Sequence, residues 1–294
     1  MELHQNVPKC IDLSRSEKEV LKDASLTSME FVRLRYVAIK DLNLLFSDKL
    51  RYLDISYTSV TSIPIDFCEF KNLERIDAYR MTLSFPDCFC GRSIRVINAE
   101  LIDVNSKQNW SQCQSLLNAS LYLPADSVES LEILETFSFM KSLTHLRLYN
   151  LTTKPPQSFK NNIGIKVLSV SIDRKGQVEE LFNLISNWKN LRTLELIVPR
   201  NFSIPSSIAE LDQLETLVVR TDDYGMVELP NEVSKLKLKR IFLFKNVRKL
   251  DMDKGICFLY SAGLNVNYYR KMNYCVEWLN DLIMIPPNNF EHPR

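Results

Sequence analysis

Leu143-Thr-His-Leu146-Arg-Leu148 places apolar residues at relative positions 1, 4 and 6 of a short run. Positions 4 and 6 lie two apart, so in an extended strand both side chains point to one face, and position 1 packs beneath them where the strand begins. The same spacing returns at Ile165/Leu168/Val170, Leu191/Leu194/Leu196, Leu214/Leu217/Val219 and Leu238/Ile241/Leu243. The starts at 143, 165, 191, 214 and 238 are separated by 22, 26, 23 and 24 residues. A period of this length means a stack of small units, none of which can bury its apolar side without its neighbours.

Upstream, the template is clear at Leu50/Leu53/Ile55 and weaker at Leu34/Val37/Ile39, Leu73/Ile76/Ala78 and Ile94/Ile97/Ala99, with a faint copy at Leu116/Ala119/Leu121. The 49 residues from Ile94 to Leu143 leave room for two units. The expected fold is an α/β repeat solenoid: a leucine-rich-repeat horseshoe with a parallel β-sheet on its concave face and short helices or irregular segments on its convex face. Residues 28–250 form the array, flanked by an N-terminal junction or cap (1–27) and a C-terminal capping segment (251–294).

The return segments fit this plan. Within 177–188, Val178, Leu181, Leu184, Ile185 and Trp188 share one helical face, which accounts for the longest step. Ser207 with Glu210, and Ser16 with Glu19, have the spacing of capping boxes, the second opening a brief helix at 17–22. Pro64, Pro156, Pro205 and Pro230 fall after strands, where a missing backbone donor costs little. In the tail, Val276, Leu279, Leu282 and Ile283 recur at helical spacing, as a docking helix over the last repeat requires.

Bulk properties narrow the function. With 37 Lys and Arg against 36 Asp and Glu, the net charge of +1 provides no global field for nucleic acid or an anionic membrane. The opening MELHQNVPKCIDLSRSEKEV lacks the basic-then-apolar order of a secretory signal, and no run reaches the length of a membrane span, so a cytoplasmic protein is expected. Seven cysteines without paired spacing suggest reduced thiols, and the four glycosylation sequons carry no weight without secretion. Three scattered histidines (His4, His145, His292), a Cys88-Phe-Cys90 lacking a second pair, and acidic pairs that diverge from one another give no catalytic or metal constellation. Neither an enzyme nor a cofactor is expected.

Binding then falls to positions 3, 5 and 7, which alternate with the buried ones and project from the concave face. The weak copy at Leu34 would place Tyr36, Ala38 and Lys40 there. Tyrosine and arginine dominate interface energetics, and two clusters stand out: Tyr52, Arg75, Tyr79, Arg147 and Tyr149, with His145 beside them, and Arg240, Phe242 and Phe244.

The run LRYLDISYTSVTSIP from Leu50, followed by FCEFKNLERIDA, resembles the repeats of plant nucleotide-binding leucine-rich-repeat disease-resistance proteins. SIPSSIAELDQLETLVV and ELPNEVSKLKLKRIFL are similar to the same family, and the likeness covers roughly residues 30 to 250. No GxxxxGK[ST] phosphate loop accompanies it. The resemblance implies a monomeric protein-recognition module of plant innate immunity that binds a pathogen effector, a guarded host protein or other receptor domains. A general scaffold or adaptor of intracellular signalling would share the architecture without the immune role.

Overall fold

Position-4 residues line up in register from repeat to repeat. Leu53, Ile76, Ile97, Ala119, Leu146, Leu168, Leu194, Leu217 and Ile241 are successive partners in adjacent parallel strands. All nine are buried, as an unbroken apolar spine through the stack requires. The computed structural model describes residues 10–15, 26–40, 42, 48–84, 86, 94–102, 113–123, 125–126, 128–172, 175–199, 202–221, 227–244 and 265–268.

Among the described residues, twelve strands form one parallel sheet: β1 Cys10–Asp12, β2 Phe31–Arg33, β3 Tyr52–Asp54, β4 Arg75–Leu83, β5 Val96–Ile102, β6 Asn118–Tyr122, β7 His145–Leu151, β8 Val167–Ile172, β9 Thr193–Val198, β11 Thr216–Thr221, β13 Arg240–Phe244 and β14 Asn265–Tyr268. They follow chain order. On the return side β10 Phe202–Ser203 pairs with β12 Val227–Glu228, also in parallel. The fold class read from the template holds, and the faint copy at Leu116 is the full strand β6.

The sheet reaches into both flanking segments, since β1 lies within 1–27 and β14 within 251–294. The copy at Leu34 sits in a different register from the one the sequence suggests. Val32 pairs with Leu53 and Phe31 with Tyr52, so this repeat starts at Met29 and its position 4 is Val32. The misreading has a physical cause. Leu34, Val37 and Ile39 are the sixth, ninth and eleventh residues of the repeat, all buried, and their spacing of three then two copies that of positions 1, 4 and 6. The concave residues of this repeat are therefore Phe31, Arg33 and Arg35.

Prolines set the return turns. Pro64, Pro156, Pro205 and Pro230 each precede a short 3-10 turn (Ile65–Glu69, Gln157–Asn161, Ser206–Glu210 and Asn231–Lys235), with φ between −62° and −71°. Each proline carbonyl accepts the amide three residues on, from Phe67, Phe159, Ile208 and Val233. Those four side chains are buried and anchor the turns. The pre-set φ and the buried anchor define the turn without a polar cap; the Ser207/Glu210 capping box is not formed, and Pro205 is the cap residue. Longer returns carry the helices α1 Val128–Phe137, which the sequence reading missed, and α2 Lys175–Ile185. The apolar face expected of α2 is buried, and the Trp188 indole donates to the Phe159 carbonyl at 3.3 Å. The helix read at 17–22 and the docking helix of the tail lie outside the described residues.

Cysteine pairing overturns the expectation of reduced thiols. Cys68 and Cys113 are disulfide-bonded, whereas Cys10 is an exposed thiol outside any disulfide. Alkylation without reductant should label Cys10 and leave Cys68 and Cys113 unmodified until a reductant is added. Labelling of all three in the unreduced protein would contradict the pairing.

Leu194 is fully buried in β9. Leu194→Ala should cost about 2–5 kcal/mol through lost burial and a cavity. The rise in amide exchange should be greatest in β8, β9 and β11, because each repeat contacts only its neighbours. A uniform rise across the chain would contradict a nearest-neighbour stack.

Candidate functional site

The concave face begins as a row of outward side chains, yet its acidic members are sunk into it. Asp54 and Asp77, at position 5 of adjacent repeats, are 0% and 2% exposed. Asp54 accepts from Arg35 Nε at 2.5 Å, from the Tyr52 hydroxyl at 3.2 Å and from the Ser56 amide at 3.1 Å. Asp77 is gripped by Arg75 through Nε and Nη2, both at 2.9 Å, by the Tyr52 hydroxyl at 2.9 Å and by Asn98 Nδ2 at 2.7 Å. Tyr52 spans the two carboxylates. Its burial, together with their charges, pushes the phenol far above its ordinary range. Buried carboxylates survive only where charge-assisted donors replace water; here donors from the same and from neighbouring repeats do so, and the face is stapled from β2 to β5.

A second staple lies further along. Glu195 of β9 accepts from Arg220 Nε at 2.6 Å and Ser169 Oγ at 2.7 Å, and Arg147 Nη2 stands 3.8 Å away. The first predicted cluster is thereby divided. Tyr52 and Arg75 belong to the Asp77 staple, the guanidinium 5.4 Å above the Tyr52 ring. Tyr79, Arg147 and Tyr149 form a separate group reaching across β5 and β6. Burial raises the Tyr79 phenol, aided by Asp77 and Tyr149 and opposed by Arg147 and Arg75. All three keep partly exposed surface. His145, on the same strand as Arg147, has its pKa lowered by burial and by Lys166, and its Nδ1 lies 2.9 Å from the Thr144 hydroxyl.

Arg240 and Phe242 lie on β13, remote from these groups in the strand order, and β14 pairs beyond them. Arg240 is exposed and Phe242 half-buried; the Phe244 side chain lies outside the described residues. An open hollow of about 650 Å³ lies where β2 to β6 begin, floored by Phe31, Val96 and Leu117 and edged by Arg33, Arg51, Arg75 and Arg95.

Position 8, just past the strand, holds a feature the sequence reading missed. Arg15, Tyr36, Tyr57 and Arg80 occupy it in the first four units with φ of 64°, 61°, 62° and 59°. A left-handed backbone costs an ordinary residue roughly 1–2 kcal/mol. The turn arises because the position-8 amide still bonds the next repeat (Tyr36 N to Ser56 O, 3.2 Å; Tyr57 N to Tyr79 O, 2.9 Å) before the chain leaves the sheet. Asn150, at the equivalent place after Leu143, is of a type suited to this conformation. Tyr36 and Tyr57 stack at 4.5 Å and 15°, and the Arg15 guanidinium lies 5.3 Å above the Tyr36 ring. Only the repeat number, counted in the correct register, could have revealed this row.

No family model matches the chain, and no curated protein matches it. Among solved structures, an internalin, inlF, from Listeria monocytogenes aligns over 84% of this chain and 82% of its own at a TM-score of 0.51 and 13% identity. TLR13, from its complex with ssRNA13, aligns over 83% of this chain and 44% of its own at 0.52 and 17%. The fold is a leucine-rich-repeat horseshoe. At these identities the likeness concerns the fold alone, and the chain spans less than half of the TLR13 chain.

Within this leucine-rich-repeat sheet, Asp77 is the acceptor on which Arg75, Tyr52 and Asn98 converge. Asp77→Ala should destabilise by roughly 1–3 kcal/mol, since three donors lose their charged partner while the half-exposed Arg75 can rehydrate. Thermal or denaturant unfolding measures it. An unchanged midpoint would mean that the staple adds nothing to the stack.

Proposed function

We propose that this array is a protein-recognition module of plant innate immunity that engages a pathogen or host protein through its concave face. The observation carrying the proposal is the group Tyr79, Arg147 and Tyr149, which faces outward from strands β4 and β7. Staples on either side hold the backbone rigid, so a partner docking there orders little more than its own side chains. Tyrosine and arginine supply wide contact and hydrogen-bonding tips at small entropic cost. The near-neutral charge of the chain supports a protein partner over nucleic acid, although TLR13 was solved with ssRNA13. The immune assignment rests on the likeness of the repeats at Leu50, Ser203 and Glu228 to those of plant resistance proteins.

Disulfide bonds at Cys68 and Cys113 favour a partner met in an oxidising compartment over the cytoplasmic one expected from the sequence. Among the described residues, no helix is long and apolar enough to cross a membrane.

A photoreactive residue at Tyr149, compared with one at the exposed Glu132 of convex helix α1, tests the reading against the secreted and cytosolic proteins of infected tissue. Crosslinking should occur from 149 and not from 132. Arg147→Ala should weaken capture about fivefold or more, equivalent to about 1 kcal/mol, while changing stability by no more than about 1 kcal/mol. Equal crosslinking from both faces, or unchanged capture by the Arg147 variant, would contradict recognition through the concave face.

A further inference from the structure

The first four repeats carry Arg, Tyr, Tyr and Arg at a turn position whose backbone favours glycine or asparagine. Repetition of the left-handed turn follows from the stack, but the side chains placed on it do not. Backbone strain concentrated on surface residues of large, polar-tipped type marks a place where the side chain is needed for something other than folding. Tyr36 is 49% exposed, and Arg15 and Arg80 are exposed beside it.

The row has a definite chemistry. Tyr36 and Tyr57 face each other, and Arg15 covers the Tyr36 ring, so an incoming partner meets guanidinium donors and hydroxyl tips that both donate and accept. Positions 7 and 8 of these four repeats read Ser14-Arg15, Arg35-Tyr36, Ser56-Tyr57 and Tyr79-Arg80: three arginines, three tyrosines and no carboxylate. The inner row at position 5 is different, with Asp12, Asp54 and Asp77 against Arg33 alone. A polyphosphate laid deeper across the face would find the Arg33 and Arg75 guanidiniums already engaged by aspartates. A short run of carboxylate side chains along the rim would find a donor at each position and no opposing carboxylate.

We propose that the strand-exit rim formed by Arg15, Tyr36, Tyr57 and Arg80 is a docking strip for an acidic segment of a partner protein. The strip supplies charge and hydrogen-bonding complementarity, while the neighbouring group at Tyr79, Arg147 and Tyr149 supplies the broader contact. This inference rests on the recognition reading above and names the chemistry of one part of the partner.

A fluorescent oligoglutamate peptide, compared with oligouridylate of equal charge, tests the strip on the full chain. The parent should bind the peptide more tightly than the oligonucleotide, and Tyr36→Asn and Arg15→Gln should each weaken the peptide about tenfold. Asparagine accepts the left-handed backbone, so the Tyr36 variant should stay folded, with a melting temperature no lower than that of Arg15→Gln. Glu132→Ala, on convex helix α1, should leave peptide affinity unchanged. Equal peptide binding by parent and rim variants would overturn the proposal, as would tighter oligouridylate binding that the rim variants abolish. Failure of the broader reading looks different: a protein partner crosslinked at 149 that binds Tyr36→Asn at parental affinity removes the rim and leaves recognition standing, whereas crosslinking from the convex helix removes recognition itself.

Discussion

Each repeat offers the carbonyl of its second position to two amides of the next. Arg51 O accepts from Glu74 N and Arg75 N, and the pattern repeats through Glu74, Arg95, Leu117, Thr144, Lys166, Arg192 and Glu215 as acceptors. This forked contact fixes the register of every strand before any side chain is considered. A shift by one residue would turn each buried pair at positions 4 and 6 outward, so the backbone fork and the apolar spine enforce one another. Curvature, the concave face and the rim all follow from that shared register.

A consequence is that the polar face cannot be chosen freely. Side chains at position 5 of adjacent strands stand close enough that a carboxylate must find donors on its neighbours or be repelled from them. Asp54, Asp77 and Glu195 find theirs across the strand gap on Arg35, Tyr52, Asn98, Ser169 and Arg220, and Asp77 is also held by Arg75 of its own strand. Several residues with the composition of an interface are thereby consumed in holding repeats together. Tyr52 and Arg75 illustrate the point: both have the chemistry of binding residues, and both serve a buried carboxylate. What remains for a partner is the group around Arg147 and Tyr149 and the rim at position 8.

The stack was readable from sequence because aliphatic residues at positions 1, 4 and 6 repeat most cleanly from Leu143 to Leu243. The repeat at Met29 was not, since Leu34, Val37 and Ile39 imitate the template with the spacing of the residues that follow the strand. β1 escaped because Ile11 and Leu13 give only two points of a three-point pattern, and both are only partly buried. Helix α1 lies in a return of irregular length, where no template constrains the reading. Concave placement of Tyr52, Arg75, Tyr79, Arg147 and Tyr149 was legible from alternation alone. Their division into structural and outward-facing groups was not, because it depends on which carboxylate each reaches across the gap between strands.

The central claim is that the stack holds a rigid concave face whose outward-facing tyrosines and arginines meet a partner. Amide hydrogen exchange of the chain with and without a crosslink-identified partner tests it most directly. The account predicts protection along β4 to β7 and at the strand exits after β1 to β4, with the proline-started turns on the convex side unchanged. Protection concentrated in those turns, or in α1 and α2, would contradict it.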